Sequence, residues 1–171
     1  GGTWGVKLKR AGYDGIIVTG KAAAPVYLWV HGGEAEIRPA AHLWGKDTFA
    51  TEEAVCAETQ KSAAVACIGP AGEKMVLLSA IMNDGKDARA AGRCGLGAVM
   101  GSKNLKAVAV YGTQLPPVAE PERLDALVKQ AVPRIVDKTR SFSQYGTSGG
   151  LMLAEKMGDL PIKNWRVGAW E

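Results

Sequence analysis

Residues 89–101, Arg-Ala-Ala-Gly-Arg-Cys-Gly-Leu-Gly-Ala-Val-Met-Gly, gather Arg89, Arg93, Cys94 and the glycines Gly92, Gly95, Gly97 and Gly101 in one short segment. An ordinary surface turn uses one or two glycines. Peptide N–H groups unshielded by Cβ atoms can converge on an anion, most readily where a helix begins. Arginine's planar fork grips a phosphate with two parallel hydrogen bonds. Residues 89–101 therefore carry the parts of a phosphate or pterin-phosphate cradle. The same glycines would equally suit a loop packed tightly between sheets, and the residue types alone leave both readings open.

Other chemistry is thinner. Gly15-Ile-Ile-Val-Thr-Gly20-Lys21-Ala22 has the glycine and lysine spacing of a phosphate-binding P-loop. Ala22 replaces the hydroxyl that would hold magnesium, however, and Ile16–Thr19 reads as strand. Gly95-Leu-Gly97-Ala-Val-Met-Gly101 has one residue too many for a dinucleotide fingerprint. His31 and His42 suit turn and packing roles better than metal ligation. Cys94, between glycines and beside Arg93, has the surroundings of an activated thiol, but a small residue accommodated in a tight loop accounts for it more simply. Of five tryptophans only Trp4 stands inside a glycine turn, where it could line a ligand. No Ser-His-Asp or paired-carboxylate arrangement follows from the spacing.

The elements that must position these residues alternate along the first 114 positions. Val6–Ala11 reads as a short helix closed by Gly12. Ile16–Thr19, Pro25–Val30 and Glu34–Arg38 read as strands, with His31-Gly32-Gly33 as the hairpin turn between the last two. Asp47 or Thr48 caps a helix running to about Lys61, with Glu52 and Glu53 suited to the positive end of its dipole. Ala63–Ile68 and Met75–Ile81 read as strands separated by a Gly69-Pro70-Ala71-Gly72 turn, and Ala107–Tyr111 as the strand behind the glycine segment. Leu115–Pro121 reads as a linker. Beyond it Leu124, Leu127, Val128, Ala131 and Ile135 recur at helical spacing, with Pro133 expected to interrupt and bend that helix. The expectation is an α+β chain: an antiparallel sheet domain with short helices over 1–114, then the beginning of a helical domain over 115–171.

A shift of 92 residues aligns Gly5 with Gly97, Val18 with Val110, Gly20 with Gly112, Pro25 with Pro117 and Val26 with Val118. A glycine-rich chain can produce such matches by chance. A true duplication would present two equivalent glycine turns to a ligand with two halves.

The chain has 171 residues, 47% hydrophobic and 22% charged, with a formal net charge of +4. That length supports a sizeable core. The apolar runs fall far short of the roughly 18 residues that suggest a membrane span, so no membrane association is expected. The small charge excess favours anionic partners only mildly, and the scattered basic residues do not form the stripe of a nucleic-acid binder. Three cysteines without a Cys-x-x-Cys pair argue against a disulfide framework or a four-cysteine metal site and suit a reducing, cytoplasmic setting. The opening Gly1-Gly2 without methionine and the stop at Trp170-Glu171 suggest a piece of a longer protein.

The blocks GGTWGVKLKRAGYDGIIVTGKAAAPVYLWV, EIRPAAHLWGKDT, IGPAGEKMVLLSAIMNDG and AGRCGLGAVMGSKNLKAVAV, in this order over residues 1 to about 113, resemble the N-terminal domain of the tungsten-containing aldehyde ferredoxin oxidoreductase family. YGTSGGLMLAEKMGDLPIKNW, residues 145–165, resembles the start of that family's following helical region. The resemblance implies a bis-pterin tungsten cofactor whose phosphates are bridged by magnesium, seated on this domain, beside a [4Fe-4S] cluster ligated by residues outside this chain. Carried over by motif, Gly1 is a cofactor-contacting glycine. Arg89, Ala90 and Gly92 form a second contact segment, with the Ala90 carbonyl directed to the magnesium, and Arg93 and Gly95 are neighbouring contacts. At Cys94 the family usually has glycine, and a side chain there can crowd the pterin.

The activity implied is oxidation of an aldehyde to a carboxylic acid, with electrons passing through the cluster to ferredoxin or another electron-carrier subunit. A homodimer stays open. The catalytic residues are not identifiable here, and the isolated chain is expected neither to hold the cluster nor to turn over substrate. The alternatives are a family member using another substrate or molybdenum, a non-catalytic anion- or nucleotide-binding module, and a scaffold that has lost the cofactor.

Overall fold

A computed structural model of the chain describes residues 2–168 and residue 170. The chain divides after Pro116 into two compact units.

The first unit is built on one six-stranded sheet. Helix α1 (Trp4–Arg10) leads through an irregular segment to strands β1 (Val26–His31) and β2 (Glu34–Pro39). They form a hairpin in which His31 pairs with Glu34 across Gly32 and Gly33, both at positive φ as a two-residue turn requires. Helix α2 (Thr48–Glu58) follows, with Asp47 as its N-cap accepting a hydrogen bond of 2.8 Å from the Ala50 amide. Strand β3 (Ala64–Cys67), the short helix α3 (Pro70–Glu73), strands β4 (Ile81–Asn83) and β5 (Arg89–Ala91), helix α4 (Leu96–Ser102) and strand β6 (Leu105–Tyr111) complete the unit.

The sheet order is β2-β1-β6-β3-β4-β5. Antiparallel pairing dominates, as expected; the β1–β6 pair is parallel, with Val30 beside Val110. Alternate residues of the central strands feed two cores. Tyr27, Trp29, Val65, Cys67, Ala107 and Ala109 pack with Leu43 and Val55 of the α2 side. Val30, Ala64, Val108 and Val110 pack with Leu8 and Met100, from α1 and α4. A strand covered on both faces needs a continuous apolar run, which Leu105–Tyr111 supplies except at Lys106. The Lys106 ammonium is fully buried, donates to the Lys46 carbonyl at 2.8 Å and pairs with the buried Glu73 carboxylate of α3. Glu73 in turn accepts the Gly45 amide at 2.9 Å.

Several sequence expectations are corrected. Ile16–Thr19 is irregular and joins no ladder; the nearby Ala22 amide and the Lys103 carbonyl, 3.1 Å apart, tie this segment to the turn after α4 instead. Gly69–Gly72 opens a helix, because Pro70 at the first helical position fixes φ and needs no donor. Met75–Ala80 is a succession of turns that leaves Leu77 and Leu78 83% and 90% exposed, so only Ile81 of that run enters a strand. Glu52 and Glu53 lie past the first turn of α2, beyond the reach of its positive end.

The second unit comprises α5 (Pro121–Lys138), α6 (Arg140–Tyr145), a 3-10 segment over Gly146–Gly150 and α7 (Leu151–Lys156). Helix α5 runs continuously through Pro133, which was expected to interrupt it. No helix among the described residues is long and apolar enough to cross a membrane.

Candidate functional site

The β4–β5 hairpin stands at one end of the sheet, with Asn83 paired to Arg89, Met82 to Ala90 and Ile81 to Ala91. β5 is an edge strand whose three residues are exposed, so part of its backbone hydrogen-bonding capacity is unused by the sheet. Arg89, Ala90, Gly92 and Arg93 are all exposed there in sequence. Among the described residues neither arginine has an acidic partner within 4.0 Å. Both guanidinium groups are available to an anion.

The connection between β4 and β5 has an unusual backbone. Asp84, Gly85 and Ala88 have φ of 61°, 44° and 46°, all in the left-handed region. Two distant groups hold it. The Gly85 amide donates to Glu52 Oε2 of α2 at 2.8 Å, and Asp84 receives both the Thr3 amide at Oδ2 and the Thr3 hydroxyl at Oδ1, each at 2.8 Å. Burial pushes the Asp84 carboxyl up, but the two bonds from Thr3, helped by Asn83 and the charge of Arg89, outweigh it and leave it more acidic than usual. Burial raises the Glu52 carboxyl, and the Gly85 amide only partly offsets that.

The turn at the start of the chain therefore lies against the hairpin that bears Arg89. Gly1 falls outside the described residues. Its neighbour Gly2 has φ of 76°, and a Cβ there would overlap the Asp84 carboxylate, 2.6 Å from Cγ.

The glycine segment separates into two kinds of position. A Cβ on Gly97 would stand 2.7 Å from the Ala80 carbonyl oxygen, one on Gly101 would overlap the Gly72 carbonyl, and one on Gly95 would overlap that of Leu77. These three let α4 close onto α3 and the 77–80 turns, and the Gly97 amide donates to the Ser79 carbonyl at 3.0 Å. Gly92 is different: nothing comes nearer its Cβ position than Ala90 Cβ at 3.8 Å, so its bare backbone faces open space. The packing reading holds for Gly95, Gly97 and Gly101, and Gly92 alone of the four has no packing neighbour that requires glycine. Cys94 has φ of 66°, a conformation glycine adopts without strain, and its side chain is exposed.

Other candidates resolve into packing. The Trp4 indole donates to the Val108 carbonyl at 2.9 Å and packs against the core. His31 stacks on Trp29 and meets Glu36 at 2.8 Å; His42 meets Glu58 at 2.6 Å. His31, Glu34 and Glu36 bring ligand-type atoms within 4.8 Å, but Arg38 already neutralises Glu36 at 2.9 Å. The shift of 92 residues carries α1 onto α4 end to end, while the residues shifted onto β6 are irregular.

Residues 1–112 match the family model described as aldehyde ferredoxin oxidoreductase, N-terminal domain. The chain belongs to the aldehyde ferredoxin oxidoreductase family. Among family relatives, the tungsten-containing aldehyde ferredoxin oxidoreductases of Pyrococcus furiosus and Thermococcus kodakarensis are 42% and 41% identical over 99% and 100% of this chain, which spans 28% and 29% of their lengths. The WOR-like subunit of an aliphatic sulfonate oxidoreductase from Pyrococcus furiosus is 38% identical over 95% of the chain, again 28% of its length. A chain of the active-site complex BamBC of benzoyl coenzyme A reductase, solved with 1,5-dienoyl-CoA, superposes with a TM-score of 0.73 at 43% identity, over 77% of this chain and 20% of that one.

Thr3 and Asp84 escaped the sequence reading, which assigned Glu52 to the α2 dipole and not to the Gly85 amide. Asn83-Asp84-Gly85 is a turn signal, but nothing in it names a partner 81 residues away.

Proposed function

We propose that residues 1–114 form the seat of a tungsten bis-pterin in an oxidoreductase that converts aldehydes to carboxylic acids and passes electrons through a [4Fe-4S] cluster to ferredoxin. The observation that carries this reading is the pair of bonds from Thr3 to Asp84, which brings the first turn and the Arg89 hairpin to one edge of the fold. The residues present suit such a group. Arg89 and Arg93 are exposed cations without acidic partners among the described residues, and Gly92 leaves room for a flat ligand to approach the backbone.

In this reading Gly1, Arg89, Ala90 and Gly92 would contact the cofactor, Arg93 would add positive charge, and the Ala90 carbonyl would hold magnesium. Gly95 supports from behind, since its own Cβ position faces Leu77. When bound, the group supplies the metal at which substrate is oxidised. This chain's residues neutralise its phosphates, fix its orientation and exclude side chains from its faces. The cluster ligands and proton-transfer groups belong to other parts of the polypeptide.

The test uses the full-length protein. The wild type should purify with tungsten and a pterin, and Arg89→Ala should lower both at least about tenfold, the scale of losing a charge-assisted bidentate contact. A wild type devoid of both, or a variant that retains both, rejects the seat. Molybdenum in place of tungsten would correct the metal alone.

A second reading keeps the seat and changes the substrate. Identity to the BamBC chain, 43%, is as high as that to the aldehyde enzymes, 42%. Dye reduction with simple aldehydes against dye-linked turnover of an aromatic coenzyme A thioester separates the two.

A further inference from the structure

Thr3 and Asp84 each stand where a side chain normally caps a helix, and neither does so. Thr3 is the N-cap of α1 and Asp84 precedes the 3-10 turn Gly85–Asp87, yet neither side chain makes a capping bond. Threonine and aspartate are favoured at such positions because their oxygens accept the free amides there. Here the threonine hydroxyl serves as a donor, and each aspartate oxygen accepts from one residue 81 positions away, with Asn83 as a further neighbour of the carboxylate. Two local satisfactions are given up for one long-range contact. Gly2 has left no room between its own backbone and the carboxylate. On the far side Glu52 holds the Gly85 amide, so the left-handed turn is gripped from both flanks.

We infer that Asp84 is a positioning residue, a latch whose carboxylate fixes the first turn of the chain to the Arg89 hairpin and sets the spacing of the two before a ligand arrives, with Glu52 as its support. This rests on the proposed cofactor seat. Without the latch the N-terminal turn and β5 would each remain folded on their own helix or strand. Their separation would then have to be fixed at the expense of binding.

The experiment compares wild-type full-length protein with Thr3→Val, Thr3→Ser, Asp84→Asn and Arg89→Ala. Thr3→Val removes the hydroxyl donor and keeps the amide; Thr3→Ser restores it. Asp84→Asn keeps a residue at ease in the left-handed region and removes the charge. Amide hydrogen exchange of residues 2–5 and 84–91 should rise together, roughly three- to tenfold, in Thr3→Val and Asp84→Asn, and return to wild-type rates in Thr3→Ser. The first-order release of pterin on mild warming should accelerate by a similar factor in the same two variants, while the melting temperature of the cofactor-free protein moves little. Exchange that rises in one segment alone or in neither, or pterin release unchanged in both variants, overturns the latch. Arg89→Ala should lose cofactor while keeping wild-type exchange. A wild type that purifies without pterin defeats the seat, and the exchange comparison still decides whether the two segments are coupled.

Discussion

Lys106 is the residue most at odds with its neighbours, a charged side chain inside a strand of alanine, valine and leucine. Its burial is tolerable because Glu73, itself 5% exposed, and the Lys46 carbonyl accept its hydrogen bonds. Breaking a buried pair leaves a naked charge and costs about 3–5 kcal/mol, whereas removing both charges can be nearly neutral. Lys106→Met should therefore lower unfolding free energy by about that amount in urea titrations. Adding Glu73→Gln should recover most of it, because the amide still accepts from Gly45. The cysteines allow a second prediction at this scale. Burial pushes the Cys67 thiol up to about 12 and raises Cys56 as well, and Cys67 is buried whereas Cys94 is exposed. Iodoacetamide at pH 8, followed by peptide mass spectrometry, should label Cys94 in the native protein and Cys67 only after denaturation.

At the scale of elements, the glycines decide between packing and binding. Gly101→Ala forces a methyl against the Gly72 carbonyl of α3 and should cost at least about 2–3 kcal/mol, read as a fall in melting temperature. Gly92→Ala, with its Cβ position open, should leave melting unchanged and, on the proposed cofactor seat, lower only cofactor content in the full-length protein. The sequence showed that bare backbone was needed over 92–101 but not by what. Amide exposure to a ligand and carbonyl contact with a facing helix demand the same residue. The Asp47 cap and the Gly32-Gly33 hairpin were legible because a few adjacent residues determine them. Met75–Leu78 was not. Its four apolar residues satisfy the pattern of a buried strand, but the turns that follow pack against α4, whose Gly97 amide takes the Ser79 carbonyl, and periodicity cannot reveal that. The Thr3–Asp84 contact was hidden for the same reason: each residue looks like a cap.

For the whole molecule, the two units differ in how much they bury. The core clusters draw only on residues before Pro116, and from Pro117 onward Leu160 is the one buried hydrophobic among the described residues. Leu124, Leu127, Val128 and Ile135 form the stripe expected from the sequence, and all are about half exposed. A helix with an unburied apolar stripe gains little from water exclusion. Residues 1–116 produced alone should melt cooperatively by circular dichroism, whereas residues 117–171 alone should show a broad, noncooperative signal and rapid proteolysis.

The parallel contact between β1 and β6 also sets an order of events. β6 lies between β1 and β3 in the sheet, although about 80 residues of chain separate Val30 from Val110. On a ribosome adding roughly 5–20 residues each second, the first hairpin emerges and waits about 4–16 s for the strand that must slot in beside it. Throughout that interval Tyr27 and Trp29 lack their final cover. The nascent polypeptide is then at its most vulnerable to self-association, and it would be an apt client for a chaperone.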